Sequence, residues 1–340
     1  MLYKFRLAVA RWLFHQLGIA DRVSIARDLL DPRDLAQLLP PAMLVSIAFN
    51  LTDRTPIRSL GVAGSYGLIE GSVSDQVILR EYAQSGTWSP QLQDTVIADI
   101  FGERQGTFID VGANIGLTSI PVARHHGVKC IAIEPDPANY KYLKNNISTN
   151  GLEDLIDTLN CAAYDGDATL DFELSADNFG DHRIRTHDKQ PLVVAHQAED
   201  ARATIKIQAY ALDALISDER LKHPVLMKVD TQGSEPMVFK GAQRILLQVD
   251  CLVVEFSPYT LARAGYTAGD FFAWLPDFDF AKLMSFDKHT GLDGLQDKEL
   301  TMAEIRQICT ARMSDINPDV YFDIGFYRNR AVHPAAGFGS

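Results

Sequence analysis

The chain has 340 residues, of which 46% are hydrophobic and 22% charged, and its formal net charge is −12. That composition excludes a disordered, collagen-like or fibrous chain, and the length suits about two domains or one enlarged α/β domain. With 32 basic against 44 acidic side chains, bulk charge argues against general affinity for nucleic acid or for anionic lipid.

Four cysteines, Cys130, Cys161, Cys251 and Cys309, stand far apart with no C-x-x-C pair. Zinc-ribbon and thioredoxin readings therefore fail, and the four are expected as reduced core residues of a cytoplasmic protein.

Residues 1–60 read as helices broken by Pro32, Pro40, Pro41 and Pro56. Leu2, Phe5, Val9, Trp12 and Leu13 fall near one helical face, an amphipathic pattern for packing on the protein itself or lying on a membrane surface. Arg11 interrupts any signal-peptide core, and the apolar run from Ala42 to Leu51 is far short of the ~20 residues a membrane span needs. No transmembrane segment is expected. Gly61 to Gly71 reads as a turn with a short strand or hairpin, and Asp75 to Tyr82 and Gln91 to Phe101 as helices. Residues 1–95 are thus expected as a mainly helical N-terminal appendage, a possible homo-oligomer contact. The main domain is placed at 96–330 and a flexible tail at 331–340.

From residue 107 strands and helices alternate. Strands are expected at 107–111, 129–133, 156–163, 225–229, 251–255, 281–286 and 321–327, and helices at 115–125, 137–150, 235–247 and 258–264. Crossover units of this kind predict a doubly wound α/β fold with a mostly parallel seven-stranded sheet. An acid-rich insertion at about 165–210 interrupts the alternation, with strand-like ends at 168–174 and 204–210 and a loop-like middle.

The strongest chemical signal is Phe108-Ile-Asp-Val-Gly-Ala-Asn-Ile-Gly116, where a buried strand runs into Asp110 and two glycines four apart. Glycine permits the sharp turn and close ligand approach, and the following helix start is electropositive. A dinucleotide fingerprint has glycine where Asp110 stands. An acid there repels a pyrophosphate and suits a cationic amino group, which points to S-adenosylmethionine rather than NAD. Glu134 ends the next strand, placed to accept hydrogen bonds from ribose hydroxyls.

Together with Ile133-Glu-Pro-Asp-Pro137, Asn160-Cys-Ala-Ala-Tyr-Asp165, Lys228-Val-Asp-Thr-Gln-Gly-Ser-Glu235 and Val253-Val-Glu255, this loop resembles the FkbM family of S-adenosylmethionine-dependent methyltransferases, in order from about Asp75 to Ser257. The resemblance implies a class I methyltransferase fold and methyl transfer to a hydroxyl of a sugar, glycolipid or polyketide-type natural product. Asp110, Gly112, Asn114 and Gly116 would line the methionine end, Glu134 with Pro135 the ribose, and Ala162 and Asp165 the adenine. Two positions depart from the usual family pattern: Gln232 stands where an acid is usual, and Ser89 follows Trp88 where a Glu often does.

Asp230 ends a core strand and faces the same crevice. With Glu235 and Glu255 it forms a set of acids open to three uses: general base, ligand for a substrate hydroxyl, or oxygen donor to a cation. No tight D-x-D pair supports a metal, and none is assigned. Glu235 also suits the first turn of a helix on electrostatic grounds alone. Lys228, two residues before Asp230, shares its sheet face and either pairs with an acid or contacts the acceptor. His182, Arg183, Arg185 and His187 cluster after Asn178-Phe179-Gly180. His182 is a second candidate base, and Asn178 and Arg183 are candidate acceptor contacts. Residues 178–200 are expected to form a mobile lid over a small hydroxylated acceptor. Two rival readings stay open: an NAD-dependent oxidoreductase on the same fold, and a non-catalytic cofactor-binding protein.

Overall fold

The computed structural model describes residues 58–90, 92, 97–102, 105–186, 202–286, 292–295 and 298–329. Of the helices expected over 1–60, residues 1–57 lie outside the described residues, as do the centre of the insertion at 187–201 and the tail at 331–340; Ser59 and Leu60 already belong to a strand.

The chain enters as an antiparallel hairpin, β1 (Ser59–Gly64) and β2 (Gly67–Ser72), followed by α1 (Ile78–Ser85). The buried Asp75 carboxylate starts α1 by accepting the N–H groups of Val77, Ile78 and Leu79. Ile69, Leu79 and Tyr82 share one core with Phe108, Ile115 and Ile147. The described part of the expected helical appendage is therefore a hairpin and a helix packed on the main sheet. A short helix, α2 (Ala98–Phe101), leads into it.

The crossover units follow as β3 (Thr107–Val111), α3 (Ser119–His126), β4 (Lys129–Ile133), α4 (Pro137–Thr149) and β5 (Ile156–Leu159). β6 (Ala162–Tyr164), β7 (Ala168–Leu174), β8 (Arg183–Ile184) and β9 (Ala203–Ala211) belong to a second sheet. After α5 (Leu212–Leu215) the main sheet resumes with β10 (Val225–Val229), α6 (Glu235–Lys240), α7 (Gln243–Gln248), β11 (Cys251–Phe256), α8 (Pro258–Ala264) and α9 (Ala268–Phe272). β12 (Phe280–Phe286), α10 (Met302–Arg312) and β13 (Phe322–Tyr327) complete it.

The seven strands lie in the order β12-β13-β11-β10-β3-β4-β5. β11, β10, β3, β4 and β5 run parallel, while β13 pairs antiparallel with both β11 and β12. The expected mostly parallel sheet is present, with apolar clusters on both faces. Among the described residues no helix is long and apolar enough to cross a membrane. All four cysteines are buried and free.

Three expected elements are cut short for identifiable reasons. The helix expected from 115 starts only at Ser119, because Gly112, Asn114 and Gly116 hold φ of 89°, 50° and 97°, outside helical space. The strand expected over 156–163 breaks at Asn160, whose side chain donates to the carbonyls of Glu134 and Pro135 (2.8 and 3.2 Å). The helix expected over 235–247 breaks at Gly241, where a Cβ would lie 1.8 Å from the Tyr164 carbonyl oxygen.

The second sheet has the order β6-β9-β7-β8; β6 and β9 are parallel and the other pairs antiparallel. Its small apolar core contains Phe172, Ile184 and Ile207. Charges do the rest of the fastening. Arg183, only 1% exposed, lies against Glu173 (3.6 Å) and Asp181 (3.2 Å). Glu173 also meets Arg185 and, from α8, Arg263.

Candidate functional site

The loop after β3 is a closed hydrogen-bonded turn. The N–H groups of Gly112 and Ala113 both donate to the Ile133 carbonyl at 3.0 Å, and that of Gly116 to Ala113. The Asn114 N–H donates to Glu134 Oε2 (2.8 Å) and the Ile115 N–H to Asn114 Oδ1 (2.8 Å). Gly112 permits the close approach that joins this loop to β10, since a Cβ there would sit 2.1 Å from the Asp230 carbonyl oxygen.

A cavity of about 810 Å³, open mouth included, lies at the carboxyl ends of β3, β4 and β10. Gly112, Ala113 and Asn114 form its floor, with Glu134 and Pro135 beside them. Cys161, Ala162 and Ala163 line one flank, and Lys228 and Asp230 line another. Phe172, Phe179, His182 and Ile184 bring the second sheet to the wall, and Ile78 and Trp88 bring the N-terminal elements.

Glu134 is 5% exposed, and its Oε1 accepts the Asp136 N–H (2.8 Å). Burial, with Asp136 and Asp110 acting the same way, pushes its carboxyl up to about 8 against two backbone donors. Asp230 is gripped on both oxygens: Lys228 Nζ donates to Oδ2 (3.0 Å) and Gln232 Nε2 to Oδ1 (2.9 Å). Burial disfavours the Lys228 ammonium, but Asp230 and Asp110 outweigh it and hold the amine above its ordinary value.

Residues 110–282 match the methyltransferase FkbM domain. The chain belongs to the FkbM methyltransferase family. A comparison with curated proteins finds no match. Among solved structures, the chain is similar to methyltransferase FkbM from Methylobacillus flagellatus KT, at 16% identity and a TM-score of 0.37, over 89% of this chain and 60% of that one. It is also similar to precorrin-6y C5,15-methyltransferase from Geobacter metallireducens GS-15, at 9% identity and a TM-score of 0.33, over 70% of this chain and 88% of that one. The chain thus spans 60% of the length of the first of these relatives.

Within this family frame, Gly112, Asn114, Glu134, Pro135, Ala162, His182, Lys228 and Asp230 meet at the cavity. The other seven candidates stand elsewhere. Asp110 is fully buried behind the floor, because strand alternation turns it away from Ile109 and Val111. Its Oδ2 accepts the Ser119 hydroxyl (2.5 Å) and its Oδ1 has no partner. Burial raises its carboxyl, opposed by Lys228 and Ser119. The acids that line the cavity are Glu134 and Asp230.

Gly116 serves packing, since a Cβ would press on Ile120 and Leu143 at 2.9 Å. Asp165 pairs with Lys240 at the end of α6 (2.9 Å), outside the cavity. Glu235 turns back on its own loop and accepts from the N–H groups of Thr231 and Gly233 and the Thr231 hydroxyl. Burial raises its carboxyl. Glu255 lies behind Asp230, within 3.3 Å of Gln232 Nε2. Burial first, then Asp230, Asp323 and Glu235, push its carboxyl well above the usual range, against Lys228. Arg183 is spent on the ion cluster of the second sheet rather than on an acceptor.

Asn178 accepts from the Gly180 N–H and turns the chain through Phe179–Asp181. That turn is pinned rather than loose. The Phe179 carbonyl accepts from Asn114 Nδ2 (2.9 Å) and Asn139 Nδ2 (3.3 Å), and the Gln76 N–H donates to the Asp177 carbonyl (2.7 Å). Residues 178–186 of the expected lid are thus a built wall, while His187 and the rest lie outside the described residues. His182 Nδ1 accepts the Ser175 N–H (3.0 Å), so the neutral ring carries its proton on Nε2, 3.8 Å from Asp136. Burial lowers its basicity, and Arg202 adds to that, while Asp136 and Asp181 oppose it. The ring therefore offers the cavity a donor rather than a base.

Sequence reasoning missed Ile78, Phe172, Phe179 and Ile184 as wall residues. Phe179 had a signal in the flanking Asn178 and Gly180; the others are apolar positions with no local mark.

Proposed function

We propose that this chain transfers the methyl group of S-adenosylmethionine to a hydroxyl oxygen of a small molecule. The observation that carries the reading is that one cavity holds a buried ribose-type acceptor, Glu134, and a clamped carboxylate, Asp230. The donor set fits the cofactor. Glu134 keeps lone pairs for ribose hydroxyls, and Cys161, Ala162 and Phe179 offer apolar surface to a base. It fits a pyrophosphate poorly, because the loop N–H groups from Gly112 to Gly116 are all engaged within the protein.

The bound cofactor supplies a methyl group already activated by its sulfonium. The chain's own residues hold, orient and accept a proton. Alignment in the cavity contributes roughly 7–11 kcal/mol. Asp230 accepts the acceptor's hydroxyl proton, worth about 10²–10⁴-fold, while Lys228 and Gln232 keep its carboxylate in place. Membership of the family favours a sugar, glycolipid or polyketide-type acceptor, and the four reduced cysteines favour the cytoplasm.

The test is calorimetry with S-adenosylmethionine and with NAD, followed by mass spectrometry of a panel of hydroxylated acceptors. Micromolar-range binding of the first and a one-methylene mass gain on an acceptor oxygen are expected. Binding of NAD alone, or cofactor binding with no methylated product across the panel, would sink the reading.

A further inference from the structure

Gln232 stands where the resembling family usually carries an acid. It sits just past β10 with φ of 55°, a backbone conformation unfavourable for a side chain of this kind. The strain is offset by what the side chain reaches. Nε2 lies 2.9 Å from Asp230 Oδ1 and 3.3 Å from Glu255 Oε1, so each amide hydrogen has a carboxylate to meet. The surroundings are acidic on every side. Asp230 ends β10, Glu255 lies on β11, Asp323 pairs with Glu255 across the ladder from β13, and Glu235 opens α6. The cation facing them is Lys228, and its ammonium contacts Asp230 Oδ2, the other oxygen of the same carboxylate.

We propose that Gln232 is a positioning residue whose carboxamide clamps Asp230 to Glu255 and fills, with N–H donors, the place between them that a divalent cation would otherwise take. A glutamate of the same length would offer only acceptors there. It would add one more carboxylate to Asp230 and Glu255, and hard cations are held by oxygens of this kind. The amide instead meets the Asp230 carboxylate and the Glu255 carboxyl without a metal and leaves Asp230 aimed by two donors, one on each oxygen. Among the described residues no group of three or more His, Cys, Asp or Glu is arranged to hold a metal ion. The inference rests on the proposed function only for the use made of Asp230; the bridge itself is read without any methyl acceptor.

The experiment uses the full chain and Mn2+ as probe, with free Mn2+ counted by electron paramagnetic resonance. The wild type is expected to bind no Mn2+ below about millimolar concentration, the weak end for oxygen-ligand sites. Gln232→Glu is expected to bind at least tenfold more tightly, and Glu255→Gln in that background should remove the gain. The melting temperature of Gln232→Glu should fall by about 3–6 °C and recover on adding Mn2+. Gln232→Asn, which keeps an amide, should gain no Mn2+ affinity. Sub-millimolar Mn2+ binding by the wild type that Asp230→Asn removes would overturn the proposal, as would a folded Gln232→Glu with neither Mn2+ binding nor lowered melting. Should Gln232→Glu not fold, the ¹⁵N side-chain signals of wild-type Gln232 decide: two slowly exchanging amide protons are expected, and free exchange with water overturns it.

Discussion

The cavity has two walls of different construction. The wall made by β3, β4 and their loops is held by backbone geometry: β3 is buried at all five positions, and the turn after it closes on neighbouring carbonyls and on Glu134. The wall made by the second sheet has strands such as β9 with alternating exposed positions, a small apolar core, and charges that hold it in place. Arg183 is buried among Glu173 and Asp181, while Arg263 reaches Glu173 from ninety positions away in sequence. The first wall closes on the neighbouring strand β4, with the Asn114 N–H reaching Glu134. The second depends also on a distant partner, Arg263 from α8.

The largest test of this contrast is at Glu134. An ionised carboxylate ordinarily near 4.5 is pushed up to about 8 in the fold. The stability tied to this group is therefore fully present below pH 4.5 and lost as pH rises through about 8, on the order of 5 kcal/mol in all. Glu134→Gln should flatten that part of the pH–stability curve measured by denaturant titration. A slope unchanged by the substitution would show that Glu134 is not the buried titrating group.

Next in size is Arg183→Ala. Removing a buried ion partner costs roughly 3 kcal/mol or more. Hydrogen exchange should accelerate in β7, β8 and β9 and stay slow in β3, β4 and β10. Uniform acceleration would mean that the two walls are one cooperative unit. Gly112→Ala tests the other wall. With φ at 89° and no room beside the Asp230 carbonyl, cofactor affinity should fall roughly 100-fold, about 2.8 kcal/mol, as read by calorimetry. The smallest effect is expected where the walls meet. Asn114→Gly keeps the left-handed backbone but loses the Phe179 and Ile115 bonds, costing about 1 kcal/mol of cofactor binding. Trp88, on the same cavity, gives a fluorescence signal for the loosened wall; no change in either would remove Asn114 as the link.

Much of the site was legible because its signals are short-range. Strand alternation, the paired glycines, Glu134 at a strand end and Asp230 at another place four parts of the cavity by rules that act within a few residues. The direction of Asp110 was not legible in the same way. Its spacing marks it as part of the loop, but its side chain answers to Ser119, nine positions on and across the α3 start. His182 was visible as a candidate, yet its protonation pattern depends on the Ser175 N–H, which only the folded turn presents.

Taken by itself, the sequence determined the alternation of strands and helices, a sharp glycine turn after β3 and the acids at the strand ends, since backbone sterics and hydrophobic period act along neighbouring residues. Tertiary structure alone decided that the described strands of the insertion pair into a second sheet and that its Phe179 turn is a wall. It also decided that Arg183 is buried and that Gln232 bridges two carboxylates. Each of those outcomes includes a partner distant in sequence, such as Asn114 for Phe179 and Glu255 for Gln232, and a charge or an amide carries no local mark of which distant group will satisfy it once water is excluded.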